Sequence, residues 1–317
     1  MRLLVTRRMT TAAEAALGTR FDADFRDSTE ALTPAEAADA MRGYDAIIPT
    51  LGDGFSAAAF AGNGLRTRLL ANFGAGYNHI DLDAARAAGV MVSNTPGVVT
   101  DATADIAMTL ILMTARRAGE GERLVRAGEW TGWQPTQMLG RHVTGATVGI
   151  VGMGRIGKAV AARCHAGFGM RVVFHNRSRV TSMPVPATQM PDLPAALAAA
   201  DFVVLAVPGG AETRHLIGPA ELQVMRAESF LINVSRGDVV DEAALIAALQ
   251  AGQIAGAGLD VYEREPLVPD ALRVMQNVTL LPHLGTAAEQ VRTDMALRAM
   301  ANLVALDEGR DLPDRVA

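Results

Sequence analysis

The sequence has few of the residues on which several classes of protein depend. Its 317 residues include a single cysteine, Cys164, so no disulfide can form within the chain. Aromatic residues make up 4% of the chain and hydrophobic residues 50%, so the cores must be aliphatic and rich in alanine. The longest apolar runs, about ten residues, are too short to cross a bilayer as a helix. We therefore expect neither a disulfide scaffold nor a membrane segment.

Lysine is almost absent as well. Of the 29 basic residues only Lys158 is a lysine, which we attribute to genomic composition bias. The formal net charge is −5, and no run of basic residues suits a nucleic-acid backbone. The first six residues are typical of a strand and not of a signal peptide. We expect a cytoplasmic protein that binds neither nucleic acid nor membrane.

Strand and helix patterns alternate along the chain, which is typical of parallel sheets covered by helices on both faces. The length suits two domains. A first series of strands is predicted at Leu3–Thr6, Ala46–Thr50, Leu69–Phe73 and Val90–Ser93, with a helix at Asp81–Ala88. A second series is predicted at Val148–Val151, Arg171–His175, Phe202–Val207, Phe230–Val234, Ala257–Val261 and Val278–Leu281. The proline-rich stretch 184–194 is predicted to be a loop, and a helix at 287–306 follows the last strand.

Residues 101–117, between the two series, are predicted to form a helix with Asp101 as its N-cap. The middle of this helix is apolar on nearly every face, so both sides must be covered. We expect this helix to contact another subunit, with an intrachain core as the alternative.

A glycine-rich loop opens the second series. The buried strand 148–151 is followed at once by Gly152-Met-Gly154-Arg-Ile-Gly157 and then by a helix over Lys158–Phe168. The first glycine permits the tight turn, the second lets the backbone approach a pyrophosphate, and the third lets helix and strand pack closely. The helix N-terminus adds free N–H groups and a positive dipole. This arrangement predicts a dinucleotide site.

The end of the next strand indicates which dinucleotide is bound. NAD sites place an acidic residue there to hold the ribose 2′-OH, whereas this chain has the neutral Asn176. Arg177, Ser178 and Arg179 follow, and two guanidinium groups with a hydroxyl suit a 2′-phosphate. We predict a preference for NADPH, with use of NADH possible. The alternative is a solvated arginine pair on a loop.

Three polar residues follow strands of the second series: Arg236, Glu265 and His283. In an open parallel sheet, ligands bind beyond the carboxyl ends of the strands. A histidine can donate the proton that a reduced keto oxygen needs, and a carboxylate can orient the imidazole and favour its charged form. Arginine binds a substrate carboxylate through two parallel hydrogen bonds. We assign His283 as general acid/base, Glu265 as its partner and Arg236 as the substrate clamp.

With these residues in place, the chain resembles the D-isomer-specific 2-hydroxyacid dehydrogenases. The resemblance implies the same catalytic roles for Arg236, Glu265 and His283, and it places Asp260 near the nicotinamide. The stretches that carry it are Gly149–Gly157, Asn233–Asp241 (NVSRGDVVD), Gly256–Pro266 (GAGLDVYEREP) and Pro282–Thr286 (PHLGT).

The resemblance extends upstream to Ala71–Asp81, ANFGAGYNHID, which is similar to the family's substrate loop. It implies that the backbone N–H groups of Ala75 and Gly76 bind the substrate carboxylate. It also implies that Leu51 lines the pocket.

Two further stretches, Asn94–Asp105 and Gly128–Trp133, resemble the glyoxylate/hydroxypyruvate reductase branch in particular. In that branch the tryptophan equivalent to Trp133 comes from the partner subunit and narrows the pocket, so Trp133 is predicted to bind substrate or, alternatively, to be an interface anchor. Thr103 is predicted to pack near the nicotinamide.

The resemblance implies an α/β architecture of two Rossmann-like domains with parallel sheets. A dinucleotide-binding domain, 101–284, would be inserted into a flavodoxin-like substrate domain, 1–100 and 285–317. The cleft between them would close on ligand, and the helix 101–117 would form a homodimer contact. The predicted cofactor-binding residues are Thr103, Gly152, Gly154, Arg155, Ile156, Gly157, Asn176, Arg177, Ser178, Arg179, Val207, Pro208, Val234, Ser235, Asp260 and Gly285.

The leading hypothesis is an NADPH-preferring reductase of glyoxylate and hydroxypyruvate. A dehydrogenase of larger 2-keto acids is an alternative. A D-3-phosphoglycerate dehydrogenase is disfavoured, because Leu70–Asp81 has no Arg or Lys for a phosphate. A cofactor-sensing binding protein, such as a corepressor, is a third hypothesis, but it would not need the three catalytic residues together.

Overall fold

Helices and strands alternate through the chain, as the sequence pattern predicts. The computed structural model describes residues 1–317 and divides into two units, Met1–Val99 with Thr286–Ala317, and Thr100–Gly285. The sequence-based boundaries differ from these by one residue each. None of the helices is both long and apolar enough to span a membrane.

The first unit contains a parallel five-stranded sheet. Its strands lie in the order β2-β1-β3-β4-β5, the flavodoxin-like order. The elements are β1 (Arg2–Val5), α1 (Thr11–Arg20), β2 (Asp22–Phe25), α2 (Pro34–Gly43), β3 (Ala46–Ile48), β4 (Leu69–Ala71), α3 (Leu82–Ala87) and β5 (Met91–Ser93), with the final helix Glu289–Asp307. The edge strand β2 was missed from the sequence, because Asp22 and Asp24 interrupt its apolar pattern.

Alternate side chains of these strands enter two cores on opposite faces of the sheet. Leu4, Ile47 and Leu70 pack on one face with Met41 of α2. The neighbouring strand residues pack on the other face with α1 and the final helix, through Leu3, Val5, Ile48, Leu69, Leu17 and Leu303. The period of two in the strands therefore decides which helix covers which face.

The second unit contains a parallel seven-stranded sheet in the order β12-β11-β10-β9-β6-β7-β8. The strand order reverses between β6 and β9, which is where ligands bind in doubly wound folds. Its elements are α4 (Thr100–Ala115), α5 (Ala118–Arg126), β6 (Thr147–Val151), α6 (Arg155–Phe168), β7 (Arg171–His175), β8 (Ala187–Gln189), α7 (Leu193–Ala199), β9 (Phe202–Leu205), α8 (Pro219–Val224), β10 (Phe230–Asn233), α9 (Glu242–Gln250), β11 (Gly256–Leu259), α10 (Asp270–Val274) and β12 (Val278–Leu280). The predicted pair of Rossmann-like α/β folds is confirmed.

Two local predictions for this unit were wrong. The proline-rich stretch is not one loop, because it contains the short edge strand β8, and α7 begins at Leu193 with Pro194 in its first turn. No proline lies within β8 itself, and Pro194 is compatible with the first turn of a helix, where its missing N–H would have had no partner. Asp101 is not the N-cap of α4, because that helix already begins at Thr100.

Helix α4 packs against the sheet and against α6 through buried residues such as Leu110 and Ile111. Its two exposed acidic residues, Asp101 and Asp105, both accept hydrogen bonds from Arg163 of α6. A stripe on the remaining face is only partly buried and comprises Ala102, Ile106, Thr109, Leu112 and Met113. The sequence predicts that both sides of this helix are buried, and within one chain the stripe remains only partly buried.

Candidate active site

The glycine loop connects β6 to α6 at the carboxyl edge of the seven-stranded sheet. Gly152 has φ +95°, and a β-carbon there would lie 2.8 Å from the Ala206 carbonyl oxygen. A β-carbon at Gly157 would lie 2.2 Å from the Gly152 carbonyl oxygen. A β-carbon at Gly154, in contrast, would have no atom within 4 Å. Two glycines thus permit close packing within the protein, whereas Gly154 leaves open space beside the backbone.

That open space lies at the N-terminus of α6. Gly154 is the N-cap, and Lys158 makes the first backbone hydrogen bond of the helix, to the Gly154 carbonyl at 3.0 Å. The preceding N–H groups, those of Arg155 and Ile156 among them, have no partner within the helix. Free N–H groups and the helix dipole attract phosphate. The loop therefore fits the pyrophosphate of a dinucleotide.

Asn176 fixes the turn after β7. Its Oδ1 accepts a hydrogen bond from the Met153 N–H at 3.1 Å, and its Nδ2 donates to the Ser178 carbonyl at 3.0 Å. Gln189 of β8 donates to the same Ser178 carbonyl at 3.0 Å. The neutral residue at this position therefore links the glycine loop to the segment that was predicted to bind a 2′-phosphate.

The side chains of Arg177, Ser178 and Arg179 are exposed beyond this turn. The Arg177 guanidinium forms an ion pair with Glu212, which follows β9. Both side chains of the pair are at least 80% exposed, so the pair contributes little to stability. The cationic side chains predicted for the 2′-phosphate are thus accessible, and one of them already has a carboxylate partner.

The other predicted cofactor residues lie along the same edge of the sheet. Val207 and Pro208 follow β9, and the buried Val234 and Ser235 follow β10. Thr103 of α4 donates a hydrogen bond to the Gly285 carbonyl at 3.2 Å.

His283 and Glu265 form a hydrogen-bonded pair, with 2.9 Å between His283 Nδ1 and Glu265 Oε2. The second carboxylate oxygen of Glu265 accepts the Tyr262 N–H at 3.1 Å. Burial favours the neutral carboxyl, but the His283 hydrogen bond and charge, the Tyr262 N–H and the Arg236 charge together lower the pKa of Glu265 below its usual value. The carboxylate is therefore ionised at neutral pH, and Nε2 is the imidazole nitrogen left for a ligand.

The His283 backbone lies in the left-handed region, with φ +55°. The Asp260 carboxylate supports this turn by accepting the N–H groups of Leu284 at 2.6 Å and Gly285 at 2.8 Å. The Asp260 carbonyl accepts the His283 N–H at 2.9 Å. Burial raises the pKa of Asp260, although these N–H groups and the His283 charge act in the opposite direction. Asp260, predicted as a cofactor-binding residue, thus also holds the histidine in place.

Arg236 follows β10, and its Nη1 donates to the Ser235 carbonyl at 2.7 Å. Its Nε is buried and donates to no group of the protein. Burial lowers the pKa of Arg236, while the charges of Glu265 and Asp238 raise it, and the guanidinium remains charged. A buried cationic donor without a partner is suited to an anionic ligand.

Close backbone contact brings the arginine to the histidine pair. A β-carbon at Gly237 would lie 1.8 Å from the Tyr262 carbonyl carbon, so only glycine allows these two loops to touch. The contact places Arg236 beside the loop that carries Glu265. All three residues predicted to be catalytic are therefore together at one edge of the second unit.

The residues predicted to bind the substrate from the first series lie in the first unit. Ala75 and Gly76 are in the loop after β4, and their N–H groups donate to no group of the protein. Leu51 follows β3 and is 39% exposed. Trp133, in contrast, belongs to the second unit, between α5 and β6, and is 80% exposed.

Residues 108–285 match a family model described as "D-isomer specific 2-hydroxyacid dehydrogenase, NAD binding domain". The match covers more than half of the chain and includes the glycine loop and all three clustered residues. The chain belongs to the D-isomer specific 2-hydroxyacid dehydrogenase family. This 2-hydroxyacid dehydrogenase is accordingly an NAD(P)-dependent oxidoreductase, in agreement with the glycine loop.

The dehydrogenase is similar to several named relatives. A glyoxylate reductase of Thermococcus gammatolerans is 43% identical over 281 residues, which are 87% of this chain and 84% of the relative. A glyoxylate reductase of Thermococcus onnurineus is 39% identical over an alignment of 321 positions, which covers 99% of this chain and 95% of the relative. The crystal structure of an NADPH-dependent glyoxylate/hydroxypyruvate reductase from Sinorhizobium meliloti, solved with NADP and malonate, has a TM-score of 0.88 and 35% identity, and the alignment covers 100% of this chain and 96% of that one.

Proposed function

We propose that this dehydrogenase reduces glyoxylate and hydroxypyruvate to the corresponding 2-hydroxy acids, with NADPH preferred. The observation that carries the proposal is the His283–Glu265 pair beside the unpartnered Nε of Arg236. This arrangement supplies one proton donor and one carboxylate-binding cation at the sheet edge that holds the glycine loop. The names of the similar glyoxylate reductases support the choice of substrate.

Reduction of a 2-keto acid needs a proton at the keto oxygen. The bound cofactor supplies a hydride to the keto carbon. The Glu265 carboxylate accepts a hydrogen bond from His283 Nδ1 and so orients the imidazole, which leaves Nε2 to donate the proton. Glu265 remains ionised because its pKa is lowered. In the reverse direction, His283 would act as the base.

The substrate carboxylate needs its own donors, which would also fix the orientation of the keto group. We assign this role to the guanidinium of Arg236 and to the N–H groups of Ala75 and Gly76. Their lack of partners within the protein supports the assignment. We assign the limit on substrate size to Leu51 and to Trp133 of a second subunit.

The preference for NADPH rests on the carboxyl end of β7. Asn176 brings no negative charge there, and Arg177 and Arg179 are exposed. Two guanidinium groups stabilise a 2′-phosphate, which a carboxylate would repel. The Arg177→Ala/Arg179→Ala double variant should lose kcat/KM with NADPH about tenfold or more while its kcat/KM with NADH changes little. Equal or better use of NADH by the wild-type protein would contradict the preference.

One assay tests the reaction itself: NADPH oxidation with glyoxylate, hydroxypyruvate, pyruvate and larger 2-keto acids. We expect glyoxylate and hydroxypyruvate to give the highest kcat/KM of the panel. The His283→Ala variant should bind NADPH normally and lose about 10²- to 10⁴-fold in turnover, since it removes the proton donor. His142→Ala, at an exposed histidine of the same unit, is the matched control. Unchanged turnover of His283→Ala would remove this residue from the mechanism.

A dehydrogenase of larger 2-keto acids is the second candidate. The observation that favours it is the 39% exposure of Leu51, the residue of this chain predicted to line the pocket. The same substrate panel separates the two candidates, and Trp133→Ala should change KM for larger keto acids if this side chain forms a pocket wall.

We further propose a homodimer formed through the partly buried stripe of α4. Ile106 and Leu112 lie on this stripe, and an apolar stripe of this kind is stabilised by a second copy. Ile106→Arg should shift the protein from dimer to monomer in size-exclusion chromatography with light scattering. Leu297→Arg, at an exposed apolar residue of the final helix, should leave the dimer intact. A dimer that persists in Ile106→Arg would contradict the proposal.

A further inference from the structure

Two asparagines bind the carbonyl groups of the loop that follows β4. Asn72 is fully buried at the end of that strand. Its Nδ2 donates to the Gly74 carbonyl at 2.9 Å and to the Gly76 carbonyl at 3.0 Å. A single side-chain amide therefore holds two peptide groups of the loop.

The second asparagine lies at the end of the neighbouring strand. Asn94 directly follows β5, and its Nδ2 donates to the Ala75 carbonyl at 2.8 Å. The Thr95 N–H adds a bond to the Gly74 carbonyl at 3.1 Å. Three consecutive carbonyls of the loop are thus bonded to the ends of β4 and β5.

The bonds to the carbonyls determine where the N–H groups point. In a planar trans peptide, the C=O and the N–H lie on opposite sides. When the carbonyls of residues 74, 75 and 76 are held towards the strands, the N–H groups of Ala75, Gly76 and Tyr77 are directed away from them. None of these three N–H groups donates to a group of the protein. Successive free N–H groups form a concavity that binds anions.

The amide orientation of Asn72 follows from the same contacts. If Oδ1 and Nδ2 were exchanged, an oxygen would face two carbonyl oxygens at 2.9 and 3.0 Å, which is repulsive. Only a donor satisfies this position. A side chain of similar shape without an N–H would leave two carbonyls without a partner.

The C-terminal segment in turn holds Asn94. The Asn94 N–H donates to the Asp314 carbonyl at 3.2 Å. The Asp314 carboxylate accepts two hydrogen bonds from Arg298, at 2.6 and 2.7 Å, and one from Asn302 at 3.0 Å. The position of Asn94 is therefore supported by the final helix as well as by β5.

We propose that Asn72 and Asn94 are positioning residues for the substrate carboxylate, acting through the loop N–H groups and not by touching the substrate. The inference rests on the proposed function, since it assumes that the carboxylate of a 2-keto acid binds to this loop. It adds the Tyr77 N–H to the two donors already assigned. Carboxylate binding then depends on how firmly the two amides hold the loop.

The test compares Asn72→Leu and Asn94→Ala with the wild-type protein. Leu has a shape close to that of Asn and adds no charge, while Asn94 is only partly buried, so its variant is the milder one. Asn277→Leu is the matched control, because this exposed asparagine also donates to a backbone carbonyl, that of Ala255 at 3.2 Å, in the second unit. KM and kcat for glyoxylate, Kd for oxalate with NADPH bound, Kd for NADPH and Tm are measured for all four proteins.

We expect KM for glyoxylate and Kd for oxalate to rise together, about 10- to 100-fold in Asn72→Leu and about 5- to 10-fold in Asn94→Ala. The expected kcat and Kd for NADPH stay within about threefold of the wild-type values, because carboxylate binding is the same in the ground state and the transition state. The control should resemble the wild type in every measurement.

Other outcomes overturn the inference in distinguishable ways. Wild-type values of KM and of the oxalate Kd in both variants would show that the two side-chain amides do not determine the affinity for the carboxylate. Parallel losses of kcat, NADPH binding and Tm would show a general structural role. A wild-type protein that neither reduces 2-keto acids nor binds oxalate would overturn the proposed function and this inference together.

Discussion

Replacing Asp260 by asparagine should damage both the stability of the second unit and its chemistry. The Asp260 side chain is 1% exposed, and its two oxygens accept the N–H groups of Leu284 at 2.6 Å and Gly285 at 2.8 Å. An asparagine keeps one acceptor and turns an NH₂ group towards the other N–H. One donor then loses its partner inside the protein, and His283, held at φ +55° by this turn, becomes free to move.

The size of the loss follows from these contacts. A hydrogen bond to a charged acceptor contributes about 1.5–3 kcal/mol, and a buried donor without a partner costs about 1–3 kcal/mol. Replacing the carboxylate also removes a burial cost, which is visible in the raised pKa of Asp260. We therefore expect the free energy of unfolding to fall by about 2–3 kcal/mol, and Tm to fall by roughly 4–12 °C.

Calorimetry and steady-state kinetics test this prediction. Asp260→Asn should combine the lower Tm with a lower kcat. Asp241→Asn is the matched control, because Asp241 caps α9 through the Ala244 N–H at 3.0 Å, and asparagine is an equally good cap. Wild-type Tm and kcat in Asp260→Asn would refute the argument that this carboxylate holds the histidine turn.

Other predictions concern the glycine loop and the carboxylate–imidazole pair. Gly157→Ala should lower Tm because its β-carbon would lie 2.2 Å from a carbonyl oxygen, whereas Gly154→Ala should keep the wild-type Tm and bind NADPH about tenfold or more weakly. Equal behaviour of the two variants in calorimetry and cofactor titration would contradict this. The pKa of Glu265 is lowered, so its pair with His283 stabilises the folded state above the usual carboxyl pKa of 4.5, and this stability is lost as the pH falls through the lowered pKa. Tm measured from pH 7 to pH 3 should therefore fall less steeply in Glu265→Gln than in the wild type. The Glu265→Gln variant should also have a lower kcat, because the imidazole loses the carboxylate that orients it, whereas Glu263→Gln should retain the wild-type kcat; equal kcat for Glu265→Gln and the wild type would argue against the pair.

The clustering of the three residues proposed to be catalytic was predictable because parallel strands bring their carboxyl ends to one edge. Arg236, Glu265 and His283 each follow a strand in the sequence, and the structure places them together. The long-range contact at Gly237, which closes the arginine loop onto the Tyr262 loop, had no sequence signal beyond the glycine itself.

Predictions failed where polar residues occupy short edge strands. Strands β2 and β8 have few apolar residues and are stabilised by pairing with β1 and β7. Their existence depends on a neighbouring strand that lies elsewhere in the chain, so a local pattern cannot reveal them.

The sequence by itself determined the two α/β folds, the dinucleotide loop and the residue types available for hydride chemistry. Periodicity, glycine spacing and strand ends are local properties, and they follow from backbone geometry alone. The tertiary structure decided which donors and acceptors already have partners within the protein. The Asp260 carboxylate binds the turn after His283, Arg177 forms an ion pair with Glu212, and the loop carbonyls accept hydrogen bonds from Asn72 and Asn94. These partners meet only when distant segments fold together, because a hydrogen bond depends on distance in space and not on separation along the chain.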